Sequence, residues 1–176
     1  MLIILLGLAF AWTAQADLVD DFEGYTAGAV EDVASPPWTA EADGLSSIGA
    51  DAGNQYITFG GDGDWRHFYR SADTEISELT TLFFRVYAQE EAADHAFGLT
   101  DEDAPSWYSA YGPYIRITND TAGVAGVVSI DGRNTAGDGF VDDIAALNLN
   151  QWYNVWLVID PVGGTRGTYD IYLSLI

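Results

Sequence analysis

A stretch near the end of the chain decides the fold: NQWYNVWLVID over 150–160, then PVGGTRG over 161–167 and TYDIYL over 168–173. Within 152–160, apolar side chains alternate with a mixed polar and aromatic set, which is the two-residue period of a β-strand with one face toward a core. Residues 168–174 alternate in the same way, and the glycine-rich piece between the two segments is typical of a hairpin loop. The stretch therefore predicts two adjacent antiparallel strands.

Outward from this hairpin, the pattern predicts further short strands separated by turns rich in glycine, aspartate and asparagine. The candidates are 18–23, 55–59, 65–70, 80–88, 95–100, 113–118 and 123–131. A single short helical turn is expected at 142–147, DDIAAL. Short strands with turn signals at regular intervals predict an all-β protein, built as a sandwich or a barrel.

The charge balance is strongly acidic and narrows the choice of partners. The chain has 27 aspartates and glutamates against six arginines, no lysine, and a net charge of −21. Such a surface repels phosphate backbones and anionic lipids, so nucleic acid and membrane surfaces are excluded as partners, while divalent cations are attracted. Cysteine is absent, which excludes disulfides and thiol chemistry.

The first sixteen residues, MLIILLGLAFAWTAQA, predict a cleavable signal peptide. The apolar run from Leu2 to Trp12 is shorter than the roughly 20 residues that a membrane-spanning helix needs, and Ala14-Gln15-Ala16 matches the small-x-small cleavage pattern. The usual basic segment at the start is missing. We therefore expect export through residues 1–16, a mature domain over 17–176 without membrane insertion, and a secreted or cell-surface location.

Four predicted strands carry an unusual face opposite the core. The positions predicted to face the core are Leu82, Phe84, Val86, Ile115, Ile117, Tyr153, Val155, Leu157, Ile159, Tyr169, Ile171 and Leu173. The alternate positions mix aromatic side chains with arginine and asparagine. The candidate ligand-binding residues on this face are Arg85, Tyr87, Tyr114, Arg116, Trp152, Asn154, Trp156 and Tyr172. Rings that stack on the C–H faces of sugars, beside planar hydrogen-bonding groups, are suited to carbohydrate. The same side chains would also suit packing against another layer, and Trp156 fits that alternative best.

The predicted hairpin, with Trp152 to Asp160, the glycine-rich turn and Thr168 to Leu173, resembles the late hairpin of concanavalin A-like jelly rolls, above all the LamG-like type. The opening LVDDFEGY over 18–25 resembles the first strand of secreted bacterial members. The resemblance implies a two-sheet antiparallel jelly roll with a glycan-binding groove on its concave face. In such folds the first strand pairs with one of the last, so the pattern predicts that the domain is incomplete at Ile176.

Calcium commonly lies at the rim of such folds, and the resemblance points to Asp20, Asp21 and Glu23 as its ligands. Carboxylate oxygens are the donors that this hard cation prefers. Acidic pairs are frequent in this chain, so each pair taken alone is also explained as a solvated turn. We expect Ca²⁺ as the candidate cofactor.

The chain contains no catalytic motif of the concanavalin A-like enzymes. The E-x-D-x-x-E pattern of laminarinase-type hydrolases and the strand motifs of jelly-roll alginate lyases are both absent. The leading hypothesis is a non-catalytic, exported module that binds a polysaccharide or cell-surface glycan. One alternative is a divergent polysaccharide lyase or glycoside hydrolase that uses Arg85, Tyr114, Arg116 or His95 as acid or base. Another is a structural surface subunit bridged by calcium.

Overall fold

A computed structural model of the chain describes residues 21–34, 38–40, 46–51, 54–59, 68–70, 76–91, 94–101, 111–119, 123–134, 139–162 and 167–176. These residues fall into two compact units, divided between residues 66 and 67. The predicted signal peptide, residues 1–16, lies outside the described residues. The predicted domain over 17–176 stays a prediction. Within the described segments, no helix is long and apolar enough to cross a bilayer.

The first unit contains one short helix and a β-hairpin. Its elements are α1 (Val30–Val33), β1 (Thr39–Ala40), β2 (Ser46–Asp51) and β3 (Asn54–Phe59). Strands β2 and β3 pair in antiparallel register from Ser46–Phe59 to Asp51–Asn54. Val30 is fully buried, and its backbone N–H donates to the Ser46 hydroxyl at 3.4 Å. This hydrogen bond ties the helix to the hairpin.

The second unit contains eight strands in the described residues. They are β4 (Phe68–Tyr69), β5 (Thr80–Tyr87), β6 (His95–Thr100), β7 (Tyr111–Asn119), β8 (Val127–Arg133), β9 (Phe140–Asn148), β10 (Trp152–Asp160) and β11 (Thr168–Leu175). Strand β5 belongs to a three-stranded antiparallel sheet of order β11-β10-β5. After β5, the chain forms a four-stranded meander of order β6-β7-β8-β9. Strands β10 and β11 then complete the first sheet.

The hydrophobic core of the second unit is made by residues from both sheets. The buried members are Val86, Ala88, Ile115, Ile117, Val128, Ile130, Leu147, Tyr153, Val155, Leu157 and Ile159. Leu82, Phe84, Phe97, Tyr169, Ile171 and Leu173 pack against them, partly buried. Every residue predicted to face the core in 82–86, 115–117, 153–159 and 169–173 does so. The structure thereby confirms an all-β protein in antiparallel sheets with the character of a β-sandwich.

Several strands were placed differently by the sequence. The helical turn predicted at 142–147 is wrong, because these residues belong to β9. A bulge hides this strand: Asp142, Asp143 and Ile144 face only Asp131 of β8, and Asp143 has a positive φ of 52°. The bulge breaks the two-residue alternation on which strand prediction depends. Strand β2 was also missed, and within the predicted strand 18–23 the described residues 21–23 form no strand.

Candidate functional site

The outer face of the three-stranded sheet brings most of the predicted ligand-binding residues together. We call it the aromatic face and define it by eight side chains: Phe83, Arg85, Tyr87, Trp152, Asn154, Trp156, Tyr172 and Ser174. All eight occupy the positions that alternate with core residues in β5, β10 and β11. Because the three strands are in continuous register, these side chains form rows that cross the sheet.

Two rows of the aromatic face consist of rings. Phe83, Trp156 and Tyr172 are cross-strand neighbours, and the Phe83 and Trp156 ring centroids are 5.4 Å apart. In the other row, the Tyr87 and Trp152 centroids are 5.1 Å apart. Phe83 is 48% exposed and Tyr172 is 54% exposed. Because these exposed rings form a contiguous patch rather than scattered single residues, this face is the candidate binding surface.

The row between them is polar. The Arg85 Nε–H donates to the Asn154 side-chain oxygen at 3.2 Å, and the Asn154 amide donates to the Ser174 hydroxyl at 3.3 Å. Arg85 is therefore held at one edge of its guanidinium by the neighbouring strand. Successive residues on one face of a strand are about 7 Å apart. The polar row therefore lies about 7 Å from each of the two aromatic rows.

The acidic residues of this face lie at its far end. Asp170 pairs with Val158, one row beyond Trp156, and Asp160 pairs with Thr168 at the hairpin end. Arg85 is the sole basic residue among the described side chains of the face. Among the eight side chains that define the aromatic face, Arg85 is thus the one charged group.

The prediction that all four strands share one face is wrong for Tyr114 and Arg116. Both belong to β7 in the four-stranded sheet. Tyr114 is 1% exposed, and its ring meets Phe140 edge-on at 5.6 Å between centroids. Alternation placed Tyr114 on the face opposite Ile115, but it could not show that this side chain is buried or that β7 pairs with β6 and β8 rather than with β5.

Tyr114 is a packed structural residue. Its hydroxyl accepts a hydrogen bond from Arg133 Nη1 at 3.2 Å, and its backbone oxygen accepts one from the Tyr169 hydroxyl at 2.7 Å. The Tyr169 hydroxyl also accepts the backbone N–H of Arg133 at 2.5 Å. Burial raises the pKa of both tyrosines, against the opposing effect of Arg133. Both phenols stay protonated at neutral pH.

Arg116 is held by carboxylates. Its Nε and Nη2 donate to the two oxygens of Asp94 at 2.7 and 2.9 Å, and its Nη1 lies 4.0 Å from Asp131. The guanidinium also lies 4.8 Å from the centre of the Phe140 ring. The hydrogen bond to Asp94 raises the pKa of Arg116. The fork is occupied by protein ligands, which leaves few donors for a bound sugar.

The predicted calcium ligands are described in part. Asp20 lies outside the described residues. The Asp21 carboxylate accepts the Glu23 backbone N–H at 3.0 Å, and the Glu23 carboxylate accepts the Gln55 N–H at 2.9 Å. In the part of the chain that the structure describes, no three His, Cys, Asp or Glu side chains are grouped to hold a metal ion. A calcium site at Asp20, Asp21 and Glu23 stays a prediction.

His95, the base of the enzyme alternative, lies in β6 opposite Ile117. Burial lowers its pKa, and the nearby Asp94 carboxylate opposes this effect. The imidazole is therefore neutral at neutral pH. It belongs to the four-stranded sheet, so it does not share a face with Arg85.

Two members of the aromatic face were not among the predicted ligand-binding residues. Phe83 and Ser174 occupy the same alternating positions as Arg85 and Tyr172, so the period of the strands could have identified them.

Comparison of the chain with protein-family models, with curated proteins and with solved structures found no match. What the protein does must therefore be inferred from the geometry of this face.

Proposed function

We propose that this protein is a non-catalytic carbohydrate-binding module with a concanavalin A-like jelly-roll fold, and that a glycan lies on the aromatic face. The single observation that carries the proposal is the exposed aromatic–polar–aromatic arrangement of rows on β5, β10 and β11. Strands β6 to β9 follow β5 and precede β10 in the sequence, and they form a meander in a separate sheet. This connection is compatible with a jelly roll.

The chemistry of the face matches that of a sugar chain. Pyranose rings offer flat C–H patches, which stack favourably on exposed rings such as Phe83 and Tyr172. Their hydroxyls need planar donors and acceptors, which Arg85 and Asn154 supply. Because these groups lie on paired strands of a rigid sheet, little conformational entropy is lost when a glycan binds.

The geometry favours binding over the catalytic alternative. An enzyme using Arg85 with Tyr114 or Arg116 would need those side chains at one groove, yet the latter two lie in the other sheet, where they are engaged by Arg133 and Asp94 respectively. The face itself brings rings and amides together, and the two carboxylates Asp160 and Asp170 lie beyond the second aromatic row.

The proposal includes export through residues 1–16 and a secreted or cell-surface location, where polysaccharides are the available ligands. The net charge of −21 fits a partner that is not a nucleic acid or an anionic membrane. Calcium is retained as a stabilising ion of the proposed fold, with Asp20, Asp21 and Glu23 as the ligands that the sequence predicts.

A glycan array followed by calorimetry tests the proposal. The parent should bind at least one polysaccharide, and Trp152→Ala and Tyr172→Ala should each weaken binding by about 2 kcal/mol, or roughly thirtyfold, as aromatic hot spots do. Leu79→Ala is the matched control, because Leu79 is 71% exposed just before β5 and lies outside the face. An array without any hit, or binding that survives both aromatic substitutions, would overturn the proposal.

A further inference from the structure

Arg85 differs from Arg116 in how it is used by the fold. Its one hydrogen bond to protein goes from Nε to Asn154, and among the described residues its Nη1 and Nη2 groups have no partner. Arg116, by contrast, is bound through two nitrogens to Asp94. Among the described residues this exposed guanidinium is thus paired with no carboxylate, and Asn154 holds it in the row between two rows of rings.

An arginine held in this way is prepared to bind an anion. The guanidinium is planar and has five N–H donors, of which Asn154 uses one. Its remaining edge matches the two oxygens of a carboxylate in a bidentate pair. Because Asn154 already limits the rotation of the side chain, less entropy is lost when the anion binds.

We propose that the aromatic face recognises an acidic heteropolysaccharide, in which one sugar with a carboxylate is flanked on both sides by uncharged sugars. This inference rests on the proposed function and specifies its ligand class. The carboxylate pairs with Arg85 in the polar row, and the neutral neighbours stack on the Tyr87–Trp152 and Phe83–Trp156–Tyr172 rows about 7 Å to either side.

The order of the rows also disfavours a polymer with a charge on every sugar. Carboxylates next to the central one would lie over rings rather than over cations, and Asp170 lies just beyond Tyr172 on the same strand. The net charge of −21 adds a repulsion that increases with the charge density of the ligand. Isolated carboxylates on a neutral background therefore fit best.

Calorimetry with three probes tests this inference. The probes are a hyaluronan oligosaccharide, in which acidic and neutral sugars alternate, the same oligosaccharide with its carboxyl groups reduced, and polygalacturonate of equal length. We expect the parent to bind the hyaluronan probe about tenfold more tightly than the reduced one, a difference of about 1.4 kcal/mol. Polygalacturonate should bind more weakly than hyaluronan.

The variants separate charge recognition from stacking. Arg85→Gln should remove the preference, so that the acidic and reduced probes bind with equal affinity, and Arg85→Lys should restore part of the preference. Thr81→Asp is the matched control: it changes the net charge by the same amount on the same face of β5, four positions from Arg85, and should keep the preference.

Equal binding of the acidic and reduced probes by the parent would overturn this inference. If Trp152→Ala abolished the binding of both probes in that case, the proposed function would still stand. Absence of binding by all three probes would also overturn the inference, and the glycan array would then decide the proposed function separately.

Discussion

Asp131 offers the sharpest test of how the four-stranded sheet is held together. Its side chain is 2% exposed, opposite the bulge of β9. One carboxylate oxygen accepts the Asp143 backbone N–H at 2.9 Å, and the other lies 4.0 Å from Arg116 Nη1. The carboxylate thus has one firm hydrogen bond and one distant cation.

Two opposing energies act on the charge of Asp131. Attraction to Arg116 at this distance amounts to about 4 kcal/mol at an effective dielectric constant near 20, whereas burial of a carboxylate costs several kcal/mol. The pKa of Asp131 is raised, first by burial and further by Asp142 and Asp143, against the effects of the Asp143 N–H and Arg116. The cost of burying the Asp131 carboxylate therefore outweighs its attraction to Arg116. An uncharged side chain at this position should fit the folded protein better than a carboxylate.

Asp131→Asn and Asp131→Ala should consequently behave differently. The asparagine oxygen can still accept the Asp143 N–H, so this variant should be at least as stable as the parent at neutral pH. Alanine removes the acceptor of that part-buried N–H, which should lower the free energy of unfolding by about 0.5–1.5 kcal/mol. Urea unfolding with equal m-values across the variants measures both effects.

The pH dependence follows from the direction of the pKa shift. A carboxyl with a raised pKa in the folded state contributes stability below its unfolded pKa of about 3.9, and this contribution is lost as the pH rises through the higher folded value. Any advantage of Asp131→Asn over the parent should therefore be largest at neutral pH and vanish near pH 4. The exposed Asp101→Asn serves as the control, because Asp101 is not among the charges that shift the pKa of Asp131. If asparagine destabilised the protein as much as alanine at neutral pH, the reasoning would be refuted.

Three further predictions concern packing and are checked by chemical denaturation. Leu157→Ala, at a fully buried position in the middle of β10, should cost about 3–5 kcal/mol, and a loss below about 1 kcal/mol would contradict the assigned core. Gly98→Ala should cost about 1–3 kcal/mol, because the added Cβ would lie 2.5 Å from a carbonyl oxygen of the facing strand. Gly112→Ala should be tolerated, because the atom nearest to its Cβ is 3.9 Å away. Equal effects of the two substitutions would argue against this register. Tyr169→Phe should cost about 1–3 kcal/mol because it removes the hydroxyl that donates to the Tyr114 carbonyl and accepts the Arg133 N–H, and an unchanged stability would contradict a stabilising role of these bonds.

Strand alternation in the sequence by itself determined much of this protein. The pattern over 152–160 and 168–174 predicted both strands of the hairpin and the core positions of each, including Leu157 and Ile171. It also separated Arg85, Trp152 and Tyr172 from the core. This information is local, because each side chain of a strand points to the face opposite its neighbour's.

The tertiary structure alone decided which strands are neighbours. Period-two alternation places Tyr114 and Arg85 on non-core faces alike, yet β7 pairs within the four-stranded sheet and β5 pairs with β10. Pairing between strands distant in sequence depends on loop closure and on the packing of both sheets, which a single strand's pattern does not contain. For that reason the sequence identified most of the aromatic face, whereas the separation of Tyr114 and Arg116 from it required the fold.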